Sequence, residues 1–362
     1  MAAKMVSRKG SMSLDHRIQT QIEATGSLTV SEFMALALYD PTDGYYAKKI
    51  PIGRSGDYIT APEMTQVFGE IIALWFVDLW HQAGHSPLFH LVEMGPGRGT
   101  LMTDILRTFL SLKIPLPQVH LVEISPLLKE LQKAALTPFS TSIFWHNDLT
   151  TLPQDQGFCM MVANEFWDAL PIQQFTKMNE EWVERHVGKN DNQLIFLPEE
   201  STPIHEVCPD MPHLVTQISN HLKASQGAAL FLDYGYDQPD AAGDTLQALS
   251  HHKPQSSLVN VGQADLTHHV DFYRLKKLFE DADLKVHGPM PQGEFLKELG
   301  LEIRTEQLCE RANPDQRGTL RTAAVRLAHP SHMGTLFKAM CVVDNASLRP
   351  AGFNNNLTLL VS

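Results

Sequence analysis

A carboxylate followed by three glycines at alternating positions is the chemistry-bearing feature of this chain: from His90 to Thr100 it reads His-Leu-Val-Glu-Met-Gly-Pro-Gly-Arg-Gly-Thr. Gly95, Gly97 and Gly99 have no Cβ to prevent a tight turn or a close approach of the backbone to a ligand. A pyrophosphate or triphosphate site offers amide N–H groups and often a lysine to its anion. Here Glu93 sets a carboxylate beside the glycines, and no Gly-Lys-Ser/Thr follows. The ligand should therefore carry a positive end. S-adenosylmethionine, with its amino group and sulfonium, meets that requirement, and a pyrophosphate does not.

Three further apolar stretches end in polar residues. Residues 119–124 close on Glu123, placed to accept hydrogen bonds from both ribose hydroxyls. Residues 142–146 run into Asn147 and Asp148, where Asp148 can take the exocyclic amine of adenine, and residues 158–163 run into Asn164 and Glu165. For each acid alone, a helix N-cap or solvated turn is the competing reading. In series they outline a ligand crevice. Glu93, Gly95, Gly97, Gly99, Glu123, Asp148 and Asn164 are thus candidate cofactor residues, and Asp57 and Thr60 join them from a glycine-punctuated stretch at 41–62 that can close over the ligand.

Methyl transfer from a sulfonium is an in-line displacement that depends on holding the reacting atoms ~3 to 3.5 Å apart. A guanidinium acceptor stays protonated, with a pKa above ~12, so its site needs carboxylates around the planar fork and one nitrogen left free for the methyl group. Glu165 and Asp168, in a turn closed by Pro171, are the candidate catalytic pair. The plainer reading has Asp168 cap the turn and Glu165 meet ligand or solvent. Enzymes that methylate base or amide nitrogens tend to carry Asn-Pro-Pro-Tyr at this point, whereas Asn164-Glu-Phe-Trp lacks the prolines. Asp233 is a third acid for the pocket or a plain turn residue; Asp265 and Asp271 read as helix caps.

Positioning these residues takes an alternating α/β architecture. Apolar stretches at 88–164 alternate with helical patterns at 100–112 and 126–135, which predicts a doubly wound, seven-stranded Rossmann-like sheet with right-handed crossovers. We expect a flexible tail at 1–26 and an N-terminal helical and lid region at 27–86, with Ser31 as a helix cap and an amphipathic helix at 66–80. The first half of the cofactor domain follows at 87–171. Polar-apolar alternation at 172–197 predicts an inserted antiparallel segment within a unit spanning 172–226. The second half, 227–362, holds a strand at 228–233, helices at 272–282 and 294–299, and a last strand at 336–343.

The composition narrows the class. A net charge of −12 argues against a nucleic-acid surface, which needs a basic stripe. The four cysteines, Cys159, Cys208, Cys309 and Cys341, have neither zinc nor disulfide spacing. The pairs His251-His252 and His268-His269 are adjacent, not the i, i+4 pair that shares a helix face, so no metal site is expected and surface or capping roles are. No apolar run reaches the ~20 residues needed to span a bilayer.

The motifs run through nearly the whole chain. They include Tyr39-Asp-Pro-Thr-Asp-Gly-Tyr-Tyr, Gly56-Asp-Tyr-Ile-Thr-Ala-Pro-Glu, the Glu93 turn, Leu121-Val-Glu-Ile-Ser-Pro, Asn164-Glu-Phe-Trp-Asp-Ala-Leu-Pro and Gly243-Asp-Thr-Leu-Gln-Ala. In these the chain resembles the MidA-like family of class I methyltransferases, whose mitochondrial members methylate an arginine on a subunit of respiratory complex I during its assembly. Met94 and Trp167 depart from the residues common there, and neither supplies chemistry. The resemblance implies a protein arginine methyltransferase that uses S-adenosylmethionine and acts on a complex I subunit. It also implies the bacterial cytoplasm or, alternatively, the mitochondrial matrix, and leaves a homodimer open. A small-molecule methyltransferase and a non-catalytic assembly factor that binds the cofactor are the competing functions.

Overall fold

The structure is a computed structural model that describes residues 12–48, 53, 56–154, 157–199, 202–239, 241 and 243–353. Apolar stretches beyond residue 87 form β1 (Phe89–Met94), β2 (Gln118–Val122), β3 (Ile143–His146), β4 (Phe158–Asn164), β5 (Ala228–Tyr236), β6 (Lys285–Pro291) and β7 (Phe337–Val343). They lie in the spatial order β6-β7-β5-β4-β1-β2-β3. Strands β3, β2, β1, β4 and β5 run parallel, and β7 enters antiparallel between β5 and β6. The winding reverses between β1 and β4. Crossovers to either side of that point leave a crevice at the strands' carboxyl ends, where Glu93 and Asn164 stand.

Both faces of this sheet are covered, so its strands are apolar on successive residues. Leu91, Met160 and Leu230 pack in one layer with Phe68, Trp75 and Phe109. Their neighbours Val92, Met161 and Phe231 pack in the other with Trp167, Phe272 and Phe279. Apart from the single-turn helices Tyr45–Lys48 and Ala61–Met64, the helices of the described residues are, in chain order, α1 (Leu14–Thr25), α2 (Val30–Tyr39), α3 (Gln66–Gln82), α4 (Thr100–Ser111), α5 (Pro126–Leu136), α6 (Met211–Ser225) and α7 (Phe272–Asp281), followed by α8 (Gln292–Glu298), α9 (Leu301–Arg311) and α10 (Pro314–Ala328). The expected amphipathic helix is α3. It is buried on nearly every side because α4 and α9 both pack on it.

Several expectations need correction. The stretch read as a flexible tail is helical from Leu14: Leu14, Ile18 and Ile22, spaced by four, form a stripe that is buried in a third core with Phe33, Leu38 and Val187. Residues 1–11 lie outside the described residues. Thr29, not Ser31, caps α2, because a reciprocal capping box with Glu32 satisfies two amides at once. Leu28–Thr29 then pairs with His186–Asn190, tying the N-terminal cap to the insert. That insert is two three-stranded sheets, one of Leu28–Thr29, His186–Asn190 and Gln193–Leu197, the other of Ile204–Val207, Gln173–Met178 and Glu181–Glu184.

Asp271 caps α7 by accepting the Arg274 N–H at 2.9 Å. Asp265 is no cap. It belongs to Asp265–Thr267, the edge of a third small sheet with Gln247–Ser250 and Lys253–Gln255. His268 is buried, and burial lowers its pKa to about 4, so a surface role is excluded. Cys208, Cys309 and Cys341 are free thiols.

Candidate active site

Gly95, Gly97 and Gly99 adopt φ values of 65°, 53° and 80°, left-handed conformations that favour glycine. A Cβ on Gly95 would stand 3.1 Å from the Phe166 ring. The turn lets β1 end against β2, with the Gly95 N–H donating to the Val122 carbonyl at 3.1 Å, and start α4 directly at Thr100. Above it opens a cavity of about 640 Å³, lined by Glu93, Gly95, Gly97, Glu123, Asp148 and Asn164 among others. Thr60 and Glu165 complete one wall, and Tyr39 and Tyr46 of the N-terminal cap lie over it. Gly99 is not part of the lining; it caps α4 instead.

Glu93 is only 3 % exposed, and its Oε2 has no hydrogen-bond partner among the described residues. Burial first, then the nearby Glu123 carboxylate, pushes its pKa up to about 8. A buried, half-unpaired carboxylate in a cavity calls for a donor or a cation. Glu123 accepts from the Ser125 N–H at 2.7 Å and from Gln132 Nε2 at 3.2 Å, and burial raises its pKa too. Gln132 also donates to the Gly97 carbonyl at 2.8 Å, bracing the glycine turn against the end of β2. Asp148 caps the turn Leu149–Thr151 by accepting the Thr150 N–H at 2.8 Å and still lines the cavity. Cavity size, glycine cradle and the orphaned Glu93 oxygen fit an adenosyl ligand with an ammonium group.

Asp57 stands apart from this group. Its carboxylate accepts the Tyr45 hydroxyl at 3.0 Å and the His251 N–H at 2.7 Å, and it lines neither this cavity nor the next. Those bonds fasten the glycine-rich stretch to the hairpin of Gln247–Ser250 and Lys253–Gln255. Residues 49–52 and 54–55 of the stretch expected to close over the ligand lie outside the described residues.

A second cavity, of about 170 Å³, adjoins the first and shares Tyr46, Tyr58 and Glu165 with it. Asp168, Tyr234, Asp265 and Thr267 line it with Ile59, Gln247 and Leu249, and among the described residues no Lys, Arg or His does. Glu165 accepts from the Ala61 N–H at 3.2 Å and from Asn164 Nδ2 at 3.1 Å; burial and Asp168 push its pKa up to about 8. Burial raises Asp168 to about 6 against an opposing hydrogen bond from Tyr234. Asp265, 5 % exposed, accepts the Tyr46 hydroxyl at 3.2 Å, and burial together with Asp168 raises it well above the usual carboxylate range. The candidate pair is thus split: Glu165 faces both cavities, and Asp168 only the smaller. Tyr46 and Tyr58 lie in quoted motifs, but aromatic residues there read first as core; Tyr234 and Asp265 were missed as lining residues because strand pairing brings them in from distant segments.

Comparison with known proteins agrees with this geometry. A model of an S-adenosyl-L-methionine-dependent methyltransferase family matches residues 71–290. The chain is 34 % identical to "Protein arginine methyltransferase NDUFAF7, mitochondrial" of Homo sapiens, over 93 % of this chain and 84 % of that protein. It is 32 % identical to the Drosophila melanogaster homolog, over 94 % and 87 % of the two chains. Among solved structures, a Burkholderia thailandensis protein bound to S-adenosyl-homocysteine shares the fold with a TM-score of 0.77 at 22 % identity, covering 95 % of this chain and 93 % of that one. This chain therefore belongs to the S-adenosyl-L-methionine-dependent methyltransferase family that its residues 71–290 match, and is an enzyme of that family.

Proposed function

We propose that this enzyme methylates an arginine side chain of a protein, and that the protein is a subunit of respiratory complex I. The observation that carries the arginine reading is the smaller cavity: carboxylates of Glu165, Asp168 and Asp265 line it, no basic side chain among the described residues does, and it meets the larger cavity at Glu165. Buried carboxylates clustered in a cavity whose described lining has no basic side chain favour a cationic occupant, and a planar guanidinium can engage two carboxylates at once. The names of the human and fly relatives, as protein arginine methyltransferases, support the same reading. Adenosylhomocysteine in the Burkholderia protein supports assigning the larger cavity to the cofactor.

When bound, the cofactor supplies a methyl group made electrophilic by its sulfonium. Glu93 would hold the cofactor's ammonium, Glu123 its ribose and Asp148 its adenine, with Asn164 and Thr60 closing the wall beside them. Glu165 and Asp168 then orient the guanidinium so that one nitrogen faces the larger cavity. The new N–C bond would form as the methyl group's bond to the sulfonium sulfur breaks, leaving adenosylhomocysteine; the nitrogen sheds a proton, and one of the two carboxylates takes it before releasing it to solvent. The acid Glu165 stands where the cavities join, which makes it the nearer acceptor.

The test is to incubate the protein and labelled S-adenosylmethionine with an extract of cells that lack it, then locate the label by mass spectrometry. Label on arginine of a complex I subunit is expected. Glu165→Gln and Asp168→Asn should each slow transfer by about 10²-fold, and Asp168→Asn should leave cofactor affinity unchanged. Transfer at the wild-type rate by both variants, or label only on other residues, would overturn the reading.

A further inference from the structure

The turn that carries Glu165 and Asp168 is strained. Glu165 sits at φ 52°, a left-handed conformation that a residue with a side chain keeps only where its surroundings hold it. Its own N–H donates to the Leu232 carbonyl at 2.8 Å. The next three amides converge on one atom: the N–H groups of Phe166, Trp167 and Asp168 lie 3.1, 2.9 and 3.3 Å from Oδ2 of Asp233. The other oxygen, Oδ1, accepts the Tyr234 N–H at 2.9 Å. Successive amides around one oxygen form an anion nest. Asp233 is 0 % exposed and lines neither cavity.

We propose that Asp233 is a positioning residue for methyl transfer: its carboxylate locks the turn and so aims Glu165 and Asp168 at the smaller cavity without touching cofactor or substrate. The inference rests on that cavity being the acceptor pocket, but not on the acceptor being arginine. Charged acceptors make the stronger hydrogen bonds, and a neutral amide at this place keeps one acceptor oxygen while turning an N–H₂ toward an amide donor. A side chain without oxygens takes the acceptor from four N–H groups, of which those of Trp167 and Asp168 are buried. Glu165 would then relax out of the left-handed region, and the carboxylate shared by the two cavities would move with it.

The experiment compares full-length wild type, Asp233→Asn and Asp233→Ala. Adenosylhomocysteine affinity is read by calorimetry, amide exchange at Phe166, Trp167 and Asp168 by NMR, and steady-state transfer of acid-stable label from S-adenosylmethionine to an extract of cells lacking the protein. In Asp233→Asn, kcat should fall about tenfold or more, while KM for S-adenosylmethionine and the adenosylhomocysteine Kd stay within about threefold. The three amides should exchange at least about tenfold faster with β4 and β5 still protected. Asp233→Ala should exaggerate both effects; if it fails to fold, the Asn variant decides. A kcat within about threefold of wild type in Asp233→Asn, or a loss of cofactor affinity in step with kcat, overturns the proposal. Hydrolysis of the wild-type product separates the two readings: label on a residue other than arginine removes the arginine assignment and leaves the Asp233 effect standing.

Discussion

A carboxylic acid held near neutrality inside a cofactor cavity makes binding sensitive to protons. Glu93, raised to about 8, is mostly protonated below that pH, yet it must be ionised to meet an ammonium. Adenosylhomocysteine binding should therefore expel a proton and tighten as pH rises from about 6 to 8. Calorimetry in buffers of different ionisation enthalpy reads the proton directly; an affinity flat across that range would remove Glu93 from the ammonium site. Glu123→Ala should weaken binding by about 1.5 to 3 kcal/mol, the worth of hydrogen bonds to a charged acceptor, and undiminished affinity would reassign the ribose contact. Both acids were legible in sequence because each ends an apolar stretch, and strand ends line the crevice. Asp233 and Asp265 were not. The role of Asp233 is set by the turn it meets from the next strand, and that of Asp265 by pairing with Gln247–Ser250.

Elements make similar distinctions. At the start of α2, Thr29 Oγ1 accepts the Glu32 N–H at 3.1 Å, and Glu32 Oε2 accepts the Thr29 N–H at 2.8 Å. Thr29→Ala should cost about 1 kcal/mol, read as a lowered urea midpoint at unchanged m-value; Ser31→Ala, inside the helix, should cost less, and the opposite order would return the cap to Ser31. Gly235 is more demanding. A Cβ there would stand 2.0 Å from the Val270 carbonyl oxygen, where Val270–Asp271 runs parallel to the end of β5. Gly235→Ala should destabilise by about 3 kcal/mol or more as backbone is forced from backbone, with amide exchange rising first at Val270. Strands β1 to β5 and β7 were readable as unbroken apolar runs and α3 to α7 by their helical period, whereas β6, with His287, Gly288 and two prolines, was not read as a strand. Strands of two to four residues, such as Leu28–Thr29 and Asp265–Thr267, have no period to read; tertiary pairing alone defines them. The helix α1 was hidden by its polar surroundings, although its stripe of Leu14, Ile18 and Ile22 was in view.

At the scale of the whole molecule, the site concentrates carboxylates that burial holds above their ordinary range, and this shapes stability. Burial pushes Glu93 and Glu165 up to about 8 and Asp168 up to about 6, all above their ordinary carboxylate values. The native state thus holds protons that the unfolded chain has given up. Their contribution is fully present below the unfolded values near pH 4 and is lost as pH rises through 6 to 8. Asp40 works the other way: its hydrogen-bonded pairing with Arg17 depresses its pKa, giving stability that is present above pH 4 and lost on acidification. The ligand-free protein should therefore be most stable at mildly acidic pH, with its unfolding temperature falling between about pH 6 and 8. Saturating adenosylhomocysteine should flatten the fall by giving Glu93 a cationic partner, and Glu93→Gln should flatten it without ligand. Asp168→Asn should remove the part of the fall that ends near pH 6 and leave the part that ends near 8. Thermal unfolding at constant ionic strength, scanned over these pH values, checks all three. A ligand-free stability that rises from pH 6 to 8 would mean that these carboxylates already have cationic partners, and the case for a cation-seeking acceptor pocket would fall with it.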